Sequence, residues 1–406
     1  MTSTAARRAY TGPALFSFGF RPFFLLACAW PAVIVPLWVL AYLGYPPLAG
    51  ALTRDWHVHE MLFGYLSGVM AGFLLTAVPN WTGRLPVLGT PLFLLAALWV
   101  AGRVAMIAAP QAAWAAVVDS AFLIVFASVI WREVLAGRNW KNLPVCGLVT
   151  LLALANIGVH LRPLQPDLAS AAERLALGVA AMMIALIGGR VTPSFTRNWL
   201  AARKVTALPA AASRFDLAVL GLTGIALAAW VVAPASPLAG IGLGFAGAGN
   251  LVRLSRWRGE KTLAEPLVWI LHNGYGWLGL ALAIMGSAVL WPARVPSSAG
   301  MHALTVGAVG VMTLAMMTRA ILGHTGRARE AGMGTLAIYL CANLAAWLRL
   351  AAAVVPAHQA LLLGLSATAW SSAFGGFVIV YGPMLVSPRV DQPVAMTAHD
   401  APQSGA

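Results

Sequence analysis

The chain has 406 residues, of which 60% are hydrophobic and only 9% are charged. Soluble globular proteins carry about 25% charged residues, so this chain has too few polar side chains to cover the surface of a water-soluble protein of its size. We therefore exclude a soluble enzyme and a nucleic-acid-binding module, although the formal net charge is +14.

Uncharged apolar runs predict twelve membrane-spanning α-helices. Crossing the hydrocarbon core takes about 20 predominantly apolar residues. The runs 217–252 and 350–388 are nearly twice that length, and proline-containing turn signals at 233–237 and 355–358 divide each of them. In chain order, the predicted spans lie near 20–43, 61–83, 90–109, 113–131, 142–161, 173–194, two within 217–252, 266–293, 295–318, 332–355 and the second part of 350–388.

The positive charge orients these helices. About 20 of the 26 Lys and Arg residues fall in the N-terminal segment, the even-numbered loops and the C-terminal tail, and the cytoplasmic side of a membrane protein carries the excess of such residues. We expect a cytoplasmic N-terminal segment 1–15, one transmembrane domain 16–386 and a disordered cytoplasmic tail 387–406. The net charge is then explained by topology, and no nucleic-acid partner is expected.

Helices 2, 6 and 10 share a repeated pattern. His59, Glu173 and His302 each precede a threonine by 23 positions and a glycine by five. The pattern predicts three four-helix units in a pseudo-threefold arrangement. The three starting residues would then lie at one depth on the non-cytoplasmic side, and ligands that converge from several helices are what a metal or cofactor site in a helical bundle needs.

The segment 55–61 concentrates ionisable residues at the start of helix 2. In a regular helix His57, Glu60 and Met61 share one face, whereas His59 points about 200° away from His57. We therefore expect the two histidines to have different partners, or one of them to lie in the loop before the helix. Neutral imidazole is a ligand for copper, iron or zinc. The alternative is a polar cluster solvated by lipid headgroups.

A second group of histidines lies nearer the cytoplasmic side. His272 opens the glycine- and aromatic-rich stretch 272–279, and His324 ends helix 10. A buried histidine at this depth favours a ligand or a relay, although glycines also serve close helix packing. Arg190 and Arg319 both follow their repeat's starting residue by 17 positions. They either hold anionic groups by charge-assisted hydrogen bonds or anchor the helices on the positive side.

Three further predictions concern the remaining intramembrane polar residues. Arg103 and Asp119 flank the turn at 110–111 symmetrically, which predicts a structural ion pair between helices 3 and 4. His160 and His358 stand at helix ends, where we expect ordinary solvated side chains.

Four segments carry a family resemblance. FSFGFRPFF at 16–24, WHVHEMLFG at 56–64, HNGYGWLGL at 272–280 and HALTVGAVGVMTLAMMTRAILGHTGR at 302–327 resemble the NnrS family. That family comprises polytopic bacterial membrane proteins that contain haem and copper and are associated with the response to nitric oxide and with denitrification. The segments extend from helix 1 to helix 10, so the resemblance covers essentially the whole chain.

The resemblance implies haem b and copper, held by residues of this sequence that stand in or beside those segments. The candidates for the haem site are His272, His324, His302, Arg319 and Arg190. The candidates for the copper site are His57, His59, His302, Glu60 and Glu173. No catalytic residue and no reaction is assigned. At the level of architecture alone, the plan is similar to the catalytic subunit of haem–copper oxidases.

The function that the resemblance implies is a haem- and copper-binding protein of the bacterial inner membrane, linked to denitrification and to resistance to nitrosative stress. Nitric oxide or iron–nitrosyl species and membrane lipid are its expected partners, with an electron donor that the sequence does not identify. Two alternatives stay open, a twelve-helix secondary transporter and a metal or haem assembly factor.

Overall fold

The computed structural model describes residues 10–390, and in that range the chain is helical and contains no strand. The prediction of an all-α, multi-pass membrane protein is confirmed. In chain order the long helices are α1 Phe20–Tyr42, α2 Arg54–Thr82, α3 Thr90–Ala108, α4 Ala113–Ala136, α5 Leu143–His160, α6 Pro166–Ala202, α7 Arg214–Val232, α8 Pro237–Ser255, α9 Pro266–Leu290, α10 Ser297–His324, α11 Met333–Val354 and α12 Gln359–Val386. All except α8 meet the length and apolarity that a membrane span requires.

Local sequence signals explain many of the helix ends. Prolines stand in the first turn of α5, α6, α8 and α9, where the missing N–H group is not needed. Ser213 and Asp216 form a capping box at the start of α7. α2 ends at Gly83, whose φ of 71° is a left-handed conformation that glycine adopts without strain.

The three helices of the predicted repeat share a rare feature. A π-helical segment interrupts each of them, at Glu60–Leu66 in α2, Ile184–Gly188 in α6 and Ala303–Gly310 in α10. These are the π-helical segments within residues 10–390. Such segments are rare and frequently lie at functional sites. In α2 and α10 the segment begins directly after His59 and His302, the starting residues of the repeat.

The helices pack in an order that recurs every four helices. Hairpin partners pack together in α3 with α4, α7 with α8, and α11 with α12, and successive units meet through α4 with α5, α8 with α9, and α12 with α1. The last contact closes the bundle. α2, α6 and α10 touch one another inside it, and α2 and α6 are the most buried of the spans.

The bundle has two ends, which we name by α2. The upper end is where α2, α6 and α10 begin, and the lower end is where they finish. At the lower end residues 387–390 return to α10, where the Val390 N–H donates to the Thr325 carbonyl at 3.1 Å. The rest of the predicted tail, 391–406, and residues 1–9 of the predicted N-terminal segment lie outside the described residues.

Candidate functional site

Six polar side chains meet inside the upper end of the bundle, and we call them the Asp119 cluster. They come from α2, α3, α4 and α5, and the cluster consists of His59, Glu60, Arg103, Asp119, Asn156 and His160. His160 is half-buried and the others are buried. Placing polar groups inside a membrane costs free energy, so a buried cluster of this size indicates a functional site.

Asp119 is the centre of the cluster. Its Oδ2 atom accepts a hydrogen bond from Asn156 Nδ2 at 2.7 Å and lies 3.0 Å from both His59 Nε2 and His160 Nε2. Its Oδ1 atom accepts from Arg103 Nη2. The predicted ion pair between Arg103 and Asp119 is therefore confirmed.

Glu60 forms the second anionic part of the cluster. Its Oε2 atom accepts from Arg103 Nη1 at 2.7 Å and from Trp30 Nε1 at 2.8 Å, while its Oε1 atom lies 3.0 Å from His59 Nδ1. His59 and Arg103 thus both bridge the same two carboxylates. The side chains of Glu60 and Asp119 are 0% and 1% exposed, so this pairing replaces solvation by water.

The close approach of these groups depends on Gly64. A Cβ atom there would lie 2.8 Å from Arg103 Nη1 and 3.0 Å from Glu60 Oε2, closer than side chains tolerate. Gly64 is the repeat glycine of α2, and Gly307, its counterpart in α10, is equally crowded, by Trp277 at 2.5 Å. Gly178 in α6 has only ordinary contacts at 3.8 Å and beyond.

Arginines surround Glu173 above the cluster. Arg54 Nη2 donates to Glu173 Oε2 at 3.0 Å, and Arg162 Nη2 donates to Glu173 Oε1 at 2.5 Å. Arg162 also pairs with Asp55 at 3.2 Å. Both oxygens of Glu173 are therefore occupied by guanidinium groups, and the structure does not bring this predicted metal ligand to a histidine.

His57 and His302 form a separate pair at the upper end. The His57 ring stacks on Trp38 with the centroids 4.9 Å apart and the planes at 9°, and its Nδ1 atom is buried without a hydrogen-bond partner. His302 Nδ1 lies 2.7 Å from the Ser298 carbonyl, so Nδ1 carries the proton and Nε2 keeps its lone pair. The two imidazoles lie close enough to interact electrostatically, and both also interact with Arg349.

The structure thus divides the predicted copper ligands among three places. His57 and His302 lie at the upper end outside the Asp119 cluster, His59 and Glu60 belong to that cluster, and Glu173 is held by arginines. The prediction that the two histidines of α2 have different partners is confirmed. The common face predicted for His57 and Glu60 assumed a regular α-helix, whereas a π-helical segment begins at Glu60 and Glu60 contacts His59 instead.

His272 lies at the lower end beside α6. Thr196 Oγ1 lies 2.9 Å from the Thr192 carbonyl and 2.7 Å from His272 Nε2. When the hydroxyl donates to the carbonyl, the ring donates to Oγ1 from Nε2, and Nδ1 then keeps a lone pair. Nδ1 is buried without a partner, and a Cβ atom on Gly259 would lie 2.7 Å from it.

The other predicted haem-site residues each have different neighbours. The His324 ring packs against Phe18 and Phe20, with centroids 5.4 and 5.6 Å apart. The Arg319 guanidinium lies 4.1 Å from the centre of the Phe195 ring, and the exposed Arg190 donates to Asn142 at 3.3 Å. His272 contacts Thr196. In the sequence these two residues belong to separate motifs, the stretch 272–279 and the repeat in helix 6.

Sequence reasoning missed two members of the Asp119 cluster. His160 was expected to be solvated, and that prediction is wrong, because the ring is half-buried against Asp119. Asn156 was not predicted at all. The signal was present, since residues 156 and 160 lie one turn apart on one face of the apolar helix α5. His358 is exposed, as predicted.

Comparison with known proteins agrees with the sequence motifs. The model of a protein family described as NnrS protein matches residues 14–389, a range that includes all twelve helices. A search of curated proteins finds no match.

Proposed function

Because this chain belongs to the NnrS family, we propose that it is a haem- and copper-binding protein of the bacterial inner membrane that acts in the nitric-oxide response. Family membership fits a nitric-oxide-response membrane protein. The proposal includes cytoplasmic termini, a link to denitrification and protection from nitrosative stress. The observation that carries it is that His57 and His302 lie at the same end of two inner helices, His57 with a buried nitrogen that has no hydrogen-bond partner and His302 with an unprotonated Nε2.

The chemistry of this pair fits copper. His57 Nδ1 has no partner although it is buried, and His302 Nε2 keeps its lone pair because Nδ1 is bonded to Ser298. Neutral imidazole nitrogens are ligands that copper accepts readily, and a buried nitrogen without a partner is costly. His57 and His302 would therefore hold the ion, which supplies a redox-active centre. Glu173 is left out because arginines occupy it.

His272 is the residue that would hold haem iron, and its surroundings suit that role only in part. With the proton on Nε2, Nδ1 offers a lone pair in an apolar setting without another partner, which suits a ligand of haem iron. The space beside it is restricted by Gly259, so a macrocycle fits only if the segment Gly259–Lys261 moves away. Haem held there would supply an iron able to bind nitric oxide, a small uncharged molecule that dissolves in lipid.

The packing supports the pseudo-threefold part of the proposal. Contacts recur every four helices, and the three inner helices each contain a π-helical segment. An arrangement similar to the catalytic subunit of haem–copper oxidases is proposed on this basis and on the position of histidines on inner helices. It is an analogy of architecture, and the ligands have to be identified by experiment.

Helix continuity distinguishes this proposal from a secondary transporter. Transporters typically place their substrate at helices that are broken near the middle of the membrane. Here α2, α6 and α10 each run through, with helical backbone from Arg54 to Thr82, Pro166 to Ala202 and Ser297 to His324. A π-helical segment widens these helices locally and does not break them, which favours a metal site over a transport pathway.

The test is metal analysis and optical spectroscopy of the full chain purified in detergent from cells supplied with haem and copper. We expect His57→Ala and His302→Ala to lose copper, and His272→Ala to lose the haem absorption. His358→Ala is the matched control, an exposed histidine at the upper end, and should keep both. A colourless, copper-free wild-type protein contradicts the proposal, and retention in every variant contradicts the ligand assignment. Release of both groups to an acceptor protein favours an assembly factor.

A further inference from the structure

Three ligand atoms converge in the Asp119 cluster. His59 Nε2, His160 Nε2 and an oxygen of Asp119 all lie within 4.8 Å of one another, and both nitrogens are 3.0 Å from the same atom, Oδ2. The residues come from α2, α4 and α5. Among residues 10–390 this is the one group of three such side chains with ligand atoms this close together.

The distances are close to those around a bound ion. Zinc lies about 2.0–2.2 Å from imidazole nitrogen and carboxylate oxygen, so the ligand atoms of a tetrahedral ion are about 3.4 Å apart. The two contacts of 3.0 Å to Asp119 Oδ2 need to widen by only a few tenths of an ångström. The third separation, between the two imidazole nitrogens, lies within 4.8 Å and has to come to a similar value.

The surrounding groups orient the three ligands. Glu60 Oε1 lies 3.0 Å from His59 Nδ1 and accepts its proton, so an ion that displaces the proton donated by Nε2 to Asp119 Oδ2 meets the Nε2 lone pair. A carboxylate–histidine pair of this kind is the usual support of a metal-bound imidazole. Arg103 bonds Asp119 through Oδ1, so an ion at Oδ2 replaces the contacts to His59, His160 and Asn156 and leaves the ion pair intact.

Asn156 provides an independent indication of a missing ligand. Its side chain is 0% exposed, and its Oδ1 atom has no hydrogen-bond partner. Its Nδ2 atom lies 2.7 Å from Asp119 Oδ2 and 3.3 Å from His59 Nε2. A half-turn of the amide exchanges the two atoms and directs the unpartnered oxygen at the three ligands, where it can serve as a fourth.

The charges of the cluster allow a cation to replace a proton. Glu60 and Asp119 contribute two negative charges, which Arg103 and a His59 ring that donates from both nitrogens compensate. An ion that binds His59 Nε2 displaces its proton, supplies positive charge in its place, and joins the carboxylate to both imidazoles.

We propose that His59, Asp119 and His160 form a second metal site, for a divalent zinc or ferrous ion, with Asn156 as a fourth ligand. Two imidazoles and one carboxylate suit these ions, as in three-ligand zinc sites and ferrous sites with open positions. The set contains no sulfur, which cuprous copper prefers. The site uses no residue of the proposed copper pair and does not depend on haem.

The experiment uses the full chain in detergent, stripped with a chelator and then given Zn²⁺ alone or Co²⁺ as a coloured substitute. Wild-type protein is expected to retain about one equivalent of zinc after desalting and, with cobalt, to show the visible absorption of a four- or five-coordinate ion. In His160→Gln the amide N–H can still donate to Asp119, while the imidazole is lost. We expect its zinc affinity to fall by more than about 100-fold.

The controls separate this site from the copper site. His57→Ala and His358→Ala should bind zinc as wild type does. Wild-type protein that binds neither zinc nor cobalt overturns the proposal, and so does wild-type affinity in both His160→Gln and Asp119→Asn. If copper is lost in His160→Gln and kept in His57→Ala, the Asp119 cluster is the copper site and the separate zinc or ferrous site is overturned. Gel filtration checks that each variant remains folded.

Discussion

His57 and His59 are two residues apart on α2 and lie in opposite environments. His59 is held between the carboxylates of Glu60 and Asp119. His57 stacks on Trp38, keeps an unpartnered nitrogen, and interacts with Arg54 and Arg349 instead of a carboxylate. The difference shows that neighbours from other helices, together with Glu60 of α2 itself, decide what a histidine of this segment can bind.

Two sets of helices create this difference. α3, α4 and α5 supply Arg103, Asp119 and His160 on one side of α2, while α1, α10 and α11 supply Trp38, His302 and Arg349 on the other. One side is ionic and already hydrogen-bonded, so an ion there replaces existing contacts. The other side offers imidazole nitrogens whose bonding is incomplete. We expect the two sides to respond differently to substitution.

The largest expected effect tests the ionic side. Arg103→Ala leaves Glu60 and Asp119 buried without their guanidinium, and breaking a buried ion pair costs about 3–5 kcal/mol of unfolding free energy. Unfolding in detergent, followed by circular dichroism, should show this loss. Arg54→Ala is the control, since Arg54 is exposed and surface pairs contribute about 0–1 kcal/mol. Equal losses in the two variants would show that the cluster does not stabilise the fold.

A smaller effect distinguishes two glycines of the repeat. Gly64→Ala places a Cβ atom against Arg103 and Glu60, and overpacking of this kind costs about 1–3 kcal/mol. Gly178→Ala has room and should be neutral or stabilising by up to about 1 kcal/mol, because alanine favours a helix over glycine. The same unfolding measurement compares them. A neutral Gly64→Ala would mean that the ionic side adapts more readily than its contacts suggest.

The sequence predicts much of the fold because lipid imposes simple rules. Charge-free runs identify the helices, and a short symmetric turn identifies the Arg103–Asp119 pair, since both residues lie at equal distances from it. The spacing of 23 residues between a starting residue and a threonine, found three times in the sequence, indicates the three inner helices. Each of these helices contains a π-helical segment in the structure. These features depend on local composition and spacing.

The site is harder to predict because its contacts join distant segments. The π-helical segment at Glu60 turns this carboxylate away from the face that a regular helix would give it. From the sequence alone His160 reads as an exposed residue at a helix end, but in the structure Asp119 of α4 contacts it. Glu173 reads as a metal ligand, but in the structure Arg54 and Arg162 occupy both of its oxygens. For His160 the deciding partner is 41 residues away in the sequence, and for Glu173 one of the two arginines is 119 residues away.

The smallest expected effect tests the other side of α2. Trp38→Leu removes the ring that stacks on His57, and such contacts contribute about 0.5–1.5 kcal/mol. If His57 and His302 hold copper, the unstacked ring loses part of its orientation, and copper affinity should fall roughly two- to tenfold, as measured by competition with a chromogenic chelator. Trp38→Phe keeps an aromatic face and should lose less. Zinc binding by the Asp119 cluster should not change, because Trp38 does not contact it among the described residues. If Trp38→Leu lowered the copper affinity and the zinc affinity equally, the two sides of α2 would form one coupled site. Only such coupling would transmit the loss of stacking at His57 to the ligands around His59.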